Sequence, residues 1–307
     1  MTGVLLVNMG GPRSLKEMKQ FLNRMFRDPF ILPFSKPLRY LLSFIISEAR
    51  YKSSWEKYEM IGGTPIISLT DKFVQRLGKK LKSYYDVRMA FSYSSPFIRD
   101  ILLNFKNEGI RNIKVIPLYP HGGYSTTSSV SAEIDKVASQ EKDLDIRVIR
   151  DFYKHEAFTK FWSELISGHI AKEQYKHPYL LFSAHSVPQY LVNKGDSYPS
   201  GIAESAGLIA GNIGMEYDLA YQSGMRRGVW LAPDIKHRLK ELAELGIGEI
   251  VIAPLSFVSE NLETLYDLDH DIIPYAKNEL GIRDISRVMI PVAHDLFIWL
   301  LADLVKN

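Results

Sequence analysis

Eight short apolar runs, four in each half of the chain, alternate with stretches of helical period, and this alternation restricts the fold more than any other feature. GVLLVNMG, DVRMAFSY, NIKVIPLYP and DIRVIRDF read as strands in the first half, and YLLFSAHS, YDLAYQS, EIVIAPLSF and SRVMIPVAH in the second. Amphipathic stretches separate them: Ser14 to Met25, Ile66 to Leu81, Pro96 to Asn107, Asp234 to Leu245 and a long one from about Glu260. Strand–helix alternation predicts parallel sheets covered by helices on both faces, hence an α/β protein of two Rossmann-like, doubly wound domains. The 307 residues exceed the usual span of one hydrophobic core. The expected domains are 1–155 and 156–293, with a boundary near Tyr153 to Ala157, followed by a C-terminal helix over 294–307.

Composition excludes several classes of function. The chain has no cysteine, which rules out disulfides, thiolate zinc sites, iron–sulfur clusters and a cysteine nucleophile. MTGVLLVNMGG enters a strand directly, without the basic region of a secretory signal, and no run approaches the roughly 18 apolar residues of a membrane span. The expected location is the cytoplasm. A formal charge of +3, with no basic stripe interleaved with aromatics, gives no reason to expect a nucleic-acid partner.

Ligands of doubly wound sheets bind beyond the carboxyl ends of the strands, and four stretches fall there. In LLFSAHSVP a buried strand ends on His185, which reads either as a core histidine bonded to a loop or as a group that does chemistry. In SENLETLYDLD, Glu260, Glu263 and Asp267 stand at i, i+3 and i+7, so a helix would line three carboxylates on one face. They are either acids favoured in the first turn of a solvated helix or a path for a cation or protons. Ser125 to Ser129 could cap the next helix or hold an anionic group at its N-terminus, and NMGGP is a glycine turn without the full dinucleotide fingerprint. Asp28 to Lys52 is rich in large apolar residues and carries Lys36, Arg39, Arg50 and Lys52. It reads as an ordinary amphipathic helix with its loop, or as an apolar, basic-edged lip.

Taken together, LLVNMGGPRSLKEMKQFLNRMF, YEMIGGTPI, FSAHSVP, NKGDSYP, YQSGMRRGVWLAP and PLSFVSENLETLYDLD resemble the ferrochelatase family, in family order and over nearly the whole chain. The resemblance implies insertion of ferrous iron into protoporphyrin IX, the last step of haem synthesis, in a porphyrin cleft between two Rossmann-like domains. It implies no organic cofactor and a C-terminal helix leaning back on the first domain. His185 matches the family's essential histidine and Glu263 the glutamate opposite it; both would meet the iron transiently, with Glu260 and Asp267 as the relay. Met9, Met25, Tyr93 and Trp230 match pocket positions, and Arg50, Tyr58, Gln222 and Ser223 match positions near the propionates. Methionine in NMGGP, where the coproporphyrin-using branch usually has tyrosine, is similar to the protoporphyrin-using branch. The chain departs from the pattern at Asn261, at His121-Gly122-Gly123, at Thr64 and at Ser92.

The chemistry accounts for these residue types. Metallation removes two pyrrole protons and delivers a hydrated dication to a ring whose lone pairs are exposed when it is bent. A histidine titrating near neutrality can take a pyrrole proton, and carboxylates can carry protons away or strip water from the metal. One histidine with carboxylates holds iron loosely enough to release it. Whether His185 or Glu263 takes the proton stays open in the sequence; histidine is the expected acceptor. The lip is expected to be both pocket wall and membrane-surface contact, and the protein a monomer rather than a homodimer. The competing readings are a chelatase for coproporphyrin or another tetrapyrrole, a non-catalytic porphyrin or haem carrier, and a nucleotide-binding enzyme suggested by fold alone.

Overall fold

The computed structural model describes residues 1–224 and 228–307; residues 225–227, inside the run YQSGMRRGVWLAP, lie outside the described residues. In chain order the elements are β1 (Thr2–Asn8), α1 (Leu15–Phe26), α2 (Lys36–Met60), α3 (Pro65–Leu81), β2 (Tyr85–Phe91), α4 (Ile98–Asn107), β3 (Asn112–Pro117), α5 (Ser129–Gln140) and β4 (Asp145–Val148). There follow α6 (Glu156–Glu173), β5 (Tyr179–His185), α7 (Gln189–Asn193), α8 (Tyr198–Ile213), β6 (Tyr217–Gln222), α9 (Ile235–Glu244), β7 (Glu249–Pro254), α10 (Ile273–Asn278), β8 (Asp284–Arg287) and α11 (Asp295–Lys306). Two segments, Tyr124–Ser128 and Glu263–Ile272, wind as π-helix. The chain forms two compact units, Met1–Asp151 with Val292–Asn307, and Phe152–Pro291.

The first unit holds a parallel sheet of order β2-β1-β3-β4. Central β1 is an unbroken apolar run because both of its faces are covered: Val4 to Val7 have no exposed surface. Leu5 and Val7 pack with Ile98, Leu102 and Phe105 of α4 and with Val130 and Ile134 of α5. On α3, Phe73 meets Phe297 of α11 with ring centroids 5.3 Å apart. Arg76 pairs with Asp295 and donates to the Ala293 carbonyl, while Lys114 Nζ donates to the Val305 carbonyl at 2.7 Å. The last helix is thus part of the first unit's core although 140 residues of the other unit precede it in the chain.

The second unit repeats the plan with order β6-β5-β7-β8, again all parallel. Leu181, Ile250 and Ile252 pack against Leu239 and Leu242 of α9 and against Leu268 and Ile272 of the long π-helix.

Two strands are shorter than their apolar runs. DIRVIRDF leaves the sheet after Val148 and SRVMIPVAH after Arg287; each contributes one further backbone bond, Ile149 N–H to Val115 and Val288 N–H to Ile252, both 2.9 Å. Both are edge strands, paired on one side only, and each leaves its neighbour before that neighbour ends, β3 running on to Pro117 and β7 to Pro254. The lip segment is also not uniform. Asp28 to Ser35 is a loop, and α2 runs 25 residues with only Ser43 and Ser47 buried. Small side chains there let α2 approach α1 closely, and Ile46, Tyr51, Trp55 and Tyr58 pack beside Phe21 and Phe26 of α1.

Candidate active site

In each unit the chain leaves its first strand to one side and later returns to the other, which opens a crevice beyond the carboxyl end of that first strand. His185 occupies this position in the second unit and Met9, just past β1, in the first.

His185 is half-buried at the last position of β5, in register with Gln222 of β6. Its backbone is held on both sides: its N–H donates to Ser256 Oγ at 3.1 Å, and its carbonyl accepts from Tyr198 Oη at 2.9 Å. Burial lowers the imidazole pKa from the ordinary histidine value, and the carboxylate of Asp267 acts in the opposite direction.

Gln222 ties the strand ends to the acidic helix. Its amide oxygen accepts from Ser183 Oγ, and its Nε2 donates to the backbone carbonyl of Glu263 at 3.1 Å. The side chain is completely buried and engaged at both ends, so Gln222 acts as a pin within the unit. Ser223 follows with φ +63°, a left-handed conformation that is strained for serine, and its Oγ donates to Asp267 Oδ2 at 2.6 Å.

The three-carboxylate helix face is also corrected. Glu260 lies ahead of the π-helix and is buried, with Oε1 accepting from Arg287 Nη1 at 2.8 Å and from the Ile290 N–H at 2.7 Å. Its Oε2 accepts from Thr264 Oγ1 at 2.5 Å. Glu263, Asp267 and Asp269 are half-buried, and of these Glu263 and Asp267 stand four apart. Asn261 starts the helix by a reciprocal cap: its Oδ1 accepts the Thr264 N–H at 3.1 Å, and Thr264 Oγ1 accepts the Asn261 N–H at 3.0 Å. A histidine at that place would lose the amide oxygen that closes this cap.

Trp230 bridges to Pro188, with Gln189 N–H to Val229 and Leu231 N–H to Val187 on either side. It borders a depression lined by Ser186, Tyr221, Gly224 and Asp234. Among the described residues no preassembled cluster of three or more His, Asp or Glu forms a metal site.

In the first unit, Met9, Met25, Tyr58 and Tyr93 gather around Phe21 and Phe26. Tyr93 Oη donates to Asp28 Oδ2 at 2.7 Å; Ser129 Oγ donates to the same oxygen, and Asp28 Oδ1 accepts the Phe30 N–H at 2.8 Å. Burial, reinforced by Asp28, pushes the Tyr93 phenol well up and keeps it a neutral donor. Nearby Glu133 is pushed up to about 7 by burial and then by Asp28. Ser129 therefore serves Asp28, Thr127 Oγ1 donates to the Arg150 carbonyl at 3.0 Å, and the serine-rich run does not cap α5 through a side chain. Arg50 is exposed on α2, outside the apolar cluster. In NMGGP, Gly10 has φ +82° and a Cβ there would collide with Ser94 Oγ, while a Cβ on Gly11 would meet Thr64. These glycines answer close packing rather than a phosphate.

Sequence reasoning passed over Arg287, Thr264 and Asp28. Arg287 was detectable in principle, since an arginine within an apolar strand run needs a buried acidic partner.

The fold is that of chelatases. The chain is similar to SirB from Bacillus subtilis with Fe3+, at TM-score 0.62 and 13% identity over 100% of this chain and 95% of that one. It also resembles the sirohydrochlorin chelatase SirB of Bacillus subtilis in complex with cobalt, at TM-score 0.59 and 11% identity over 99% and 94% of the two chains. The ferrochelatase family model matches residues 1–307. Curated ferrochelatases are similar along their length: that of Aquifex aeolicus is 37% identical over 99% of this chain and 98% of its own, and that of Gloeothece citriformis 35% over 99% and 82%. The chain belongs to the ferrochelatase family, and its reaction is the insertion of iron into a porphyrin. Without cysteine it holds no iron–sulfur cluster.

Proposed function

We propose that the porphyrin is protoporphyrin IX, that His185 takes the pyrrole protons and that Glu263 and Asp267 handle the iron and carry the protons away. The observation that carries this reading is the Gln222 pin, which ties the strand of His185 to the backbone of Glu263 while Ser223 holds Asp267. An imidazole kept below its ordinary pKa is neutral at pH 7 and free to accept a proton. Two pyrrole N–H bonds break, two protons leave toward the carboxylates, and the four nitrogens take up iron(II) with no change of oxidation state. His185, Glu263 and Asp267 are not assembled as a three-ligand metal site, and one imidazole and two carboxylates that do not close round an ion suit iron that must be passed on. Iron is a substrate here, and no organic cofactor is required.

The apolar cluster around Met9, Met25, Tyr58 and Tyr93 is assigned to the porphyrin ring, together with Trp230, and Arg50 to a propionate. Glu260, held by Arg287, Thr264 and Ile290, anchors the acidic stretch rather than moving protons. Phe34, Leu38, Leu41, Phe44 and Ile45 are exposed beside Lys36 and are assigned to the surface of an anionic membrane. No helix among the described residues is long and apolar enough to cross one. The protein is read as a cytoplasmic monomer with this peripheral contact.

Anaerobic iron(II) insertion followed by absorbance, with protoporphyrin IX against coproporphyrin III, tests the substrate. Faster turnover of protoporphyrin, lost in His185→Ala, is expected; preference for coproporphyrin would reverse the assignment. Co-sedimentation with anionic liposomes should fall in Leu41→Ser with Phe44→Ser, and unchanged binding would remove the membrane role.

A further inference from the structure

A ten-residue π-helix is unusual, because wide turns pack poorly and ordinarily occur singly within α-helices. Something outside the segment must hold Glu263–Ile272 in this winding. Arg287, at the end of β8 and 4% exposed, reaches both flanks of the acidic stretch. Its Nη1 bonds Glu260 at 2.8 Å, and its Nε and Nη2 form a two-pronged contact with Asp269 Oδ1 and Oδ2, both 2.7 Å. Glu260 lies three residues before Glu263 and Asp269 two residues after Asp267. The two carboxylates assigned to iron and protons therefore lie between two carboxylates clamped to one guanidinium.

We infer that Arg287 is a positioning residue for iron insertion: by bridging Glu260 and Asp269 it sets the pitch of the π-helix and so the directions of Glu263 and Asp267. The inference rests on the assignment of Glu263 given above. A tightening to α-helical pitch would rotate Asp267 relative to Glu263 about the helix axis and separate the pair from the Gln222 and Ser223 contacts. Lysine can keep the charge beside Glu260 but cannot make the two-pronged contact with Asp269. Asp269 is a third exposed, so Asp269→Asn loosens the clamp without stranding a charge in the core.

The test compares Asp269→Asn, Arg287→Lys and Glu263→Gln for iron(II) insertion, porphyrin affinity by fluorescence titration, and thermal melting. Arg238→Lys, which alters a similar clamp on Asp218 and Glu241 at the base of the same unit, controls for stability alone. Expected is a loss of about tenfold or more in kcat/KM for iron in Asp269→Asn and Arg287→Lys, the scale for groups that orient metal ligands. Porphyrin affinity should stay at the wild-type value, and Arg238→Lys should lower the melting temperature without changing the KM for iron. If Glu263→Gln is inactive while Asp269→Asn melts lower yet keeps wild-type iron kinetics, the clamp is structural and the inference fails. If Glu263→Gln itself inserts iron normally, the assignment of Glu263 fails instead. Should Arg287→Lys not fold, Asp269→Asn alone decides.

Discussion

In the proposed reaction the useful form of His185 is the neutral imidazole, and protonation abolishes it. Because burial lowers its pKa, the ring stays neutral to lower pH than a free histidine would. The acid limb of kcat/KM for iron insertion is therefore expected below the ordinary value of about 6.5, and His185→Ala should lower kcat by about 10² to 10⁴. A pH profile that breaks above pH 7 would count against the imidazole as acceptor. His121 tests the same physics through stability. It is buried and its pKa is driven down to about 3 by that burial alone. In the unfolded chain it titrates near 6.5, so its neutral form contributes stability that is complete above that pH and is lost as pH falls toward 3. Urea midpoints measured between pH 7 and 4 should fall in the wild type and fall less in His121→Asn.

The element that matters most is the segment from Glu260 to Ile272, and its start is a reciprocal side-chain cap. Asn261→Ala should reduce stability by about 1 kcal/mol, read as a lower urea midpoint, while Asn261→Asp keeps the accepting oxygen and most of the stability. An unchanged midpoint in the alanine variant would show that Arg287 alone defines the segment. The acidic residues were visible in the sequence at spacings of 3 and 7, but those spacings presuppose 3.6 residues per turn. Contacts from β8 widen the winding, and local spacing carries no information about a partner on a distant strand. Edge strands were overestimated for a similar reason. An apolar run shows what can be buried, but not how far along its neighbour it stays paired.

At the scale of the whole molecule, the C-terminal helix closes the core of the unit formed by the N-terminal residues. Phe297→Ala removes a ring that is 1% exposed and should cost about 3 to 5 kcal/mol in that unit. Hydrogen exchange should quicken in β1 to β4 and remain slow in β5 to β8. Equal acceleration in both sheets would mean that the two units unfold together.

The sequence by itself determined the two α/β sheets, the positions of their eight strands, the strand-end histidine and the family, because these depend on periodicity and on motifs local in the chain. Which polar groups are available for chemistry was decided only by the tertiary structure. Gln222 and Glu260 have the same residue chemistry whether free or bound, but one is pinned between β5 and the π-helix and the other is locked to Arg287. Burial and partners are properties of residues far apart in the chain, and they separate the buried, bonded Glu260 from the half-buried Glu263 and Asp267.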